Sequence, residues 1–224
     1  MIIKIILPSR GRPHRLQEFV DSVRQTESEP NEIHVLIDSD DPTIEEYKSI
    51  KGIVLYVREP SGVSDRLIFL SEVVDADIYA CLADDVKFET KNWDVKIKQS
   101  IPSHGICIVK CNEVHNASLC HPIYTKKIFD LIGGWPFGLK HWFLDSWMED
   151  IGRETKTIIA LPDVILHHYH HTVRPELNDA TYALHKPMYE HDSKIWNSPE
   201  VRTLMAQAKT RIKDAINAYN SSHK

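Results

Sequence analysis

The sequence predicts an α/β protein: a mostly parallel, mixed sheet flanked by helices, followed by a C-terminal helical extension. Three observations carry that expectation. Short β-branched runs alternate with stretches of helical spacing, acidic residues close two of those runs, and residues 199–219 set their apolar side chains on one helical stripe. At 224 residues and 42% hydrophobic content, the chain is long enough to bury a full core.

Residues 2–7 are an apolar, β-rich run and form the first strand. Pro8-Ser9-Arg10-Gly11-Arg12-Pro13 turns sharply, and Leu16, Phe19, Val20 and Val23 then follow helical spacing. Ile33 to Ile37 is the second strand, closing in Asp38-Ser39-Asp40-Asp41-Pro42, and Ile53 to Val57 is the third. Val63 to Val73 reads as a helix with Leu67, Ile68, Leu70 and Val73 inward. The fourth strand, from Ile78 to Ala83, runs into Asp84 and Asp85. Strands separated by helices in this way make βαβ units, and parallel strands deliver their ends to one edge.

The second half is less regular. Gly105 to Val109 and Leu119 to Tyr124 are short strands, and Lys126 to Leu131 is a short helix. Gly133-Gly134-Trp135-Pro136 breaks the chain. Leu139 to Ile151 has helical spacing, with Leu139, Trp142, Phe143, Trp147 and Ile151 on its apolar side and Asp145 and Glu149 together on one face. The strand-like runs Ile158–Leu161 and Val164–Leu166 lead into His167-His168-Tyr169-His170-His171, and a last helix covers about Pro199 to Tyr219.

Composition removes several function classes. A formal net charge of −5 argues against a dedicated nucleic-acid coat. Residues 194–224 nevertheless carry six Lys/Arg against Glu200 and Asp214, either a solvated helix face or a surface for a polyanion. No run approaches the ~20 apolar residues that cross a bilayer, so no membrane role is expected. The opening Met-Ile-Ile-Lys-Ile-Ile-Leu-Pro is too short and too β-branched for a secretion signal. Cys81, Cys107, Cys111 and Cys120 form no C-x-x-C pair and read as buried, reduced thiols of a cytoplasmic protein.

Three constellations could carry chemistry. The first is the pair of acidic strand ends, Asp38–Asp41 and Asp84–Asp85, at the sheet edge where open α/β sheets bind ligands. One end can hydrogen-bond a base or ribose, and the other can hold Mg²⁺ or Mn²⁺. Arg10, Arg12 and Arg66 lie close by, either to fork onto phosphates or to pair with those aspartates. The second is the cluster holding four of the 13 histidines within five residues. In an extended segment His168 and His170 point the same way and could complete a carboxylate metal site; a zinc site with cysteine, or plain surface histidines, are the alternatives. The third is Asp145 with Glu149, which could present a general base beside Trp142 and Trp147 or form an ordinary solvated face.

The order of these motifs resembles the GT-A-fold glycosyltransferases, close to the family-2 type. The resemblance covers roughly residues 2–195 and rests on Pro8-Ser9-Arg10 after the first strand, Asp38 ending the second, Gly62-Val63-Ser64-Asp65-Arg66 opening a helix, and Ala83-Asp84-Asp85 after the fourth strand. Leu82 stands where that family has the first aspartate of its Asp-x-Asp motif, and Asp84 matches the last. The string Ala83-Asp84-Asp85-Val86 through Trp93-Asp94 looks like small bacteriophage glycosyltransferases. Asp145-Ser146-Trp147-Met148-Glu149-Asp150 resembles their acceptor-side acidic helix, and His168-Tyr169-His170 with Asp179-Ala180-Thr181-Tyr182 resembles their closing motif.

The resemblance implies a metal-dependent transferase that moves a hexosyl or pentosyl group from a nucleotide sugar, a UDP-sugar, to an acceptor hydroxyl. Phage enzymes of this kind suggest a hydroxymethylated pyrimidine in DNA as acceptor, in the host cytoplasm. Asp38, with Pro8, Ser9 and Arg10, would line the nucleoside pocket, and Arg66 would face the diphosphate. Asp84 and Asp85 would hold Mn²⁺ or Mg²⁺, with His168 or His170 as the late ligand. Asp145 would be the catalytic base, or else Glu149 or Asp150. Residues 1–195 would form the transferase domain, with a donor half over 1–100 and an acceptor half over 101–195, and residues 196–224 the C-terminal helix. A nucleotidyltransferase on the same sheet, or a non-catalytic nucleotide- or sugar-binding module, is the alternative.

Overall fold

The structure, a computed structural model, describes residues 1–114, 118–170, 179, 183 and 187–223. His171, Ala180, Thr181 and Tyr182, singled out above, lie outside the described residues.

The first half alternates as expected: β1 (Ile3–Pro8), α1 (Pro13–Thr26), β2 (Glu32–Asp38), α2 (Ile44–Ser49), β3 (Val54–Arg58), α3 (Val63–Val73) and β4 (Ile78–Cys81). Pro13 opens α1, where its missing N–H and fixed φ cost nothing. β1, β2 and β4 are apolar on both faces and almost wholly buried, the pattern a parallel sheet covered on both sides demands. β1 runs parallel to β2 and β4, and β2 parallel to β3. The exits of β1, β2 and β4 therefore meet at one edge.

β5 (Val86–Phe88), α4 (Trp93–Ser100), β6 (Ile108–Val114), β7 (Ile123–Thr125), α5 (Lys126–Ile132), α6 (Leu144–Thr155), β8 (Ile158–His168), α7 (Met188–Trp196) and α8 (Pro199–Ser222) follow. The eight strands form one mixed sheet, ordered β3-β2-β1-β4-β7-β6-β8-β5. β7 is antiparallel to β4 and β6, and β8 is parallel to β6 but antiparallel to β5.

Several details differ from the sequence expectation, among them the strand expected over Gly105 to Val109, which runs instead from Ile108 to Val114. The two runs around Pro162 are one strand, because the register slips from Cys111↔Leu161 to Asn112↔Ile165 and leaves Pro162 in a bulge. The helix expected from Leu139 begins at Leu144, after Phe143 adopts a left-handed φ of 71°. The strand expected from Leu119 shrinks to Ile123–Thr125. α2, β5, α4 and α7 are additional elements. Trp93, fully buried and stacked on Phe88 at 4.1 Å, explains β5 and α4.

Each face of the sheet carries a core. Ile5, Leu7, Phe19, Ile33 and Trp93 belong to one; Ile6, Leu36, Leu70, Tyr124, Trp147 and Met205 belong to the other. α8 buries Val201, Met205, Ala208 and Ile212, at helical spacing, in the second. Two of its basic residues serve that packing: Lys209 pairs with Glu154, and Arg211 donates to the carbonyls of Leu131 and Ile132 that end α5. Cys81, Cys107 and Cys111 are buried free thiols, pushed up to about 12 by burial. Cys120 departs from the expectation, being half-exposed. Among the described residues, no helix is long and apolar enough to cross a membrane.

Candidate active site

A cavity of about 530 Å³ opens at the carboxyl edge of β1 and β4. Pro8, Ser9, Arg10 and Arg66 line it, together with Asp84 and Asp85. Asp145, His168 and His170 reach it from the opposite half. Asp38, Glu149 and Asp150 do not line it.

Asp38, 1% exposed, lies behind two arginines that do line the cavity. Arg10 Nη1 donates to Asp38 Oδ2 at 2.6 Å and Arg66 Nη2 to the same oxygen at 2.8 Å. Its hydrogen bond to Asp40, and that to Asp38, raise the Arg10 pKa. Burial lowers that of Arg66, against the pull of Asp38. Asp38 Oδ1 and Arg66 Nε are buried without a hydrogen-bond partner among the described residues.

Asp84 ends a relay that begins in the β1–α1 turn. The Arg12 backbone N–H donates to the Tyr47 hydroxyl at 2.9 Å, Tyr47 and Ser9 Oγ are 2.7 Å apart, and Ser9 Oγ donates to Asp84 Oδ2 at 2.5 Å. The Arg12 guanidinium, 5% exposed, lies 3.4 Å from Asp84 Oδ1 and 3.7 Å from Asp85 Oδ2. Burial and then the Asp85 charge raise the Asp84 pKa, while Arg12 and Ser9 act against them. Arg12 thus belongs to the site itself, where the sequence had placed it only nearby.

Asp85, His121 and His168 each offer a ligand atom, all within 4.8 Å of one another. His168 Nε2 lies 3.6 Å from Asp85 Oδ1, the His121 and His168 rings meet edge-on at 4.7 Å, and His170 packs against His168 at 5.1 Å. Imidazole and carboxylate together suit a divalent ion such as Mn²⁺. The acidic surroundings fit as well: Asp84, Asp85 and Asp145 line the cavity, Glu113 backs His121, and Arg12 approaches Asp84 and Asp85. Burial opposes charging His121, but Glu113, Asp85 and Asp145 prevail and raise its pKa. Sequence reading missed His121. It stands alone before a three-residue strand, and only the placement of β7 between β4 and β6 brings it to Asp85.

Asp145 sits in the first turn of α6, its Oδ1 accepting the Ser146 N–H at 2.7 Å and its Oδ2 3.7 Å from Cys120 Sγ. Burial raises its pKa. Glu149 is instead held by Arg153 at 2.5 Å, on its own helix. Trp142 lines the cavity and is 38% exposed, whereas Trp147 is buried in the core and donates to Gly134 O. The Trp142 loop is clamped by Asp192 of α7, whose carboxylate accepts the backbone N–H groups of Lys140, His141 and Trp142 at 2.8–2.9 Å.

Solved structures share this fold. The mannosyltransferase PcManGT from Pyrobaculum calidifontis, in complex with GDP-Man and Mn²⁺, matches at a TM-score of 0.60 and 11% identity over 98% of this chain and 75% of that one. The chain has the GT-A glycosyltransferase fold. S. aureus TarS 1–349, in complex with UDP, matches at 0.59 and 14% identity over 75% of this chain and 60% of that one. GalNAc-T7 with UDP, GalNAc and Mn²⁺ matches at 0.63 and 10% identity over 75% of this chain and 44% of that one. The chain thus spans less than two thirds of the latter two. No protein-family model matches it, and no curated protein does. The cavity lies at the parallel strands' carboxyl edge, where open α/β sheets bind ligands.

Proposed function

We propose that the protein is a metal-dependent glycosyltransferase moving a sugar from a nucleotide sugar, a UDP-sugar, to an acceptor hydroxyl. One observation carries this reading. In a GT-A fold, a single cavity holds both the Asp85–His168 cation cluster and Asp145, a buried carboxylate of raised pKa.

Residues 1–100 form the donor half and residues 101–195 the acceptor half, braced by the helix within 196–224. Pro8, Ser9 and Arg10 border the nucleoside, and Asp38, behind them, serves it by holding Arg10 and Arg66 in place rather than by touching the base or ribose. Arg66 faces the diphosphate. Asp85, with His168 or His170, would hold Mn²⁺ or Mg²⁺ directly, and Asp84, held by Ser9 and Arg12, would reach it through water. A bound divalent ion neutralises charge developing on the departing diphosphate. In an inverting transfer Asp145 takes the proton from the acceptor hydroxyl as it attacks the anomeric carbon and the nucleoside diphosphate leaves. Burial, which raises its pKa, makes it a stronger base than an exposed aspartate.

For the acceptor we propose the hydroxymethyl group of a modified pyrimidine in DNA, as in phage enzymes. Trp142, exposed at the cavity, offers a flat base a stacking face. The basic helix adds little, since Lys209 and Arg211 are committed to packing. The test is release of nucleoside diphosphate from UDP- and GDP-sugars with Mn²⁺. Release that Asp145→Asn abolishes supports the reading, and no release from any donor, with or without hydroxymethylated DNA, contradicts it.

A further inference from the structure

We propose that His121, oriented by Glu113, is the third protein ligand of the metal, so that the site is a two-histidine, one-carboxylate centre selecting a transition-metal ion over Mg²⁺. The proposal rests on the glycosyltransferase reading only for what the ion does there.

Leu82, where the family carries an aspartate, is 3% exposed and packed in the core, so nothing on its own strand replaces that ligand. His121 approaches from the neighbouring strand instead. Its ring is buried, edge-on to His168, and grouped with Asp85. Glu113 on β6 holds it with a side chain of no solvent exposure. Glu113 Oε1 accepts the backbone N–H groups of Cys120 and His121, each at 3.2 Å, and Oε2 lies 3.2 Å from His121 Nδ1. A carboxylate in that position fixes the proton on Nδ1 and leaves Nε2 as the nitrogen open to a ligand, as in other carboxylate–histidine–metal arrangements. Three contacts to one buried carboxylate fix the segment as well as the ring.

An ordinary buried His–Glu pair would account for the Glu113 contact alone. It would not account for a second imidazole and a second carboxylate converging on the same ring. The donor set then decides the ion. Mg²⁺ binds oxygen ligands and keeps its waters, whereas Mn²⁺, Co²⁺ and Zn²⁺ accept imidazole.

The test uses the full chain, stripped of metal with a chelator, without donor. Calorimetry is expected to give one Mn²⁺ site, with Mg²⁺ at least tenfold weaker. Pulsed electron paramagnetic resonance of the Mn²⁺ form is expected to count two imidazole nitrogens, falling to one in His121→Gln, with Mn²⁺ affinity down about 10–100-fold. Glu113→Gln, whose amide oxygen can still accept from Nδ1, is expected to retain more affinity than Glu113→Leu. One nitrogen in the wild-type protein, an unchanged count in His121→Gln, or Mg²⁺ binding as tightly as Mn²⁺ overturns the proposal. If the His121 variant fails to fold, His170→Gln decides it: a count still at two leaves His121 as the second nitrogen, and a count of one overturns the proposal. Two nitrogens without donor turnover would sink the glycosyltransferase reading and leave this site standing; turnover with a one-nitrogen ion would do the reverse.

Discussion

Arg12 grips both oxygens of Asp179, Nε and Nη2 donating at 2.9 and 2.8 Å, while its Nη1 lies 3.4 Å from Asp84. One guanidinium thus ties Asp179, 167 residues away in sequence, to Asp84 in the cavity. Lysine would keep the charge but not the fork. Arg12→Lys is expected to weaken donor binding about tenfold and to cost about 1–2 kcal/mol of stability. Donor titration and thermal melts read both, and a variant unchanged in each would refute the tie.

Asp145→Asn is expected to lower transfer about 10²–10⁴-fold while donor affinity stays within about twofold. Glu149→Gln is expected to have a much smaller effect, because Glu149 is held by Arg153 away from the cavity. The base works ionised, and burial raises its pKa. Activity should therefore rise with pH through a limb above the ordinary carboxylate value of about 4. A kcat/KM profile still flat down to about pH 4 would remove Asp145 from the role.

Most of the first half was legible because buried parallel strands write themselves as unbroken apolar runs. The α3 bounds fell as read, Val63 to Val73, while the strand before Asp84 began at Ile78 as read and ended at Cys81, two residues early. Asp145 and His168 reached the cavity for the same reason, lying at the start of a strongly patterned helix and the end of a strand. What sequence could not show depended on contacts far along the chain. His121 needs β7 inserted between β4 and β6, and Arg12 needs Asp179. Trp142 and Trp147 look equivalent at helical spacing, yet the left-handed Phe143 sends one to the cavity and the other to the core.

Asp192, fully buried, caps three successive N–H groups of the loop that carries Trp142. Asp192→Ala leaves them unsatisfied and is expected to cost about 3 kcal/mol, lowering Tm by roughly 6–12 °C for a domain of this size. Burial alone would raise the Asp192 pKa, but bonds from His191 and those three N–H groups lower it. The stabilisation is therefore complete above the unfolded carboxylate pKa of about 4 and is lost as pH falls through the lower native value. The Tm gap between wild type and variant should narrow below about pH 4, and a constant gap would contradict the charge-assisted cap.

The same loop is pinned from α3. Val63 N donates to Lys140 O at 2.7 Å, and a Cβ on Gly62 would lie 2.8 Å from Leu139 O. Gly62→Ala is expected to destabilise by about 1–3 kcal/mol and to weaken donor binding through the displaced α3, which carries Arg66. Urea denaturation measures the first and donor titration the second; a variant as stable as wild type would show that the loop yields freely.

The central claim, that the cavity binds a nucleotide sugar through a divalent ion, is tested most directly by thermal shift of the metal-free protein. UDP- and GDP-sugars would be screened with and without Mn²⁺, beside Asp85→Asn. Saturation at about 100 times Kd stabilises by about 2.7 kcal/mol, a shift of several degrees. The expected result is stabilisation by at least one donor only with Mn²⁺, lost in Asp85→Asn. No shift with any donor, or an equal shift in chelator and in Asp85→Asn, would contradict it.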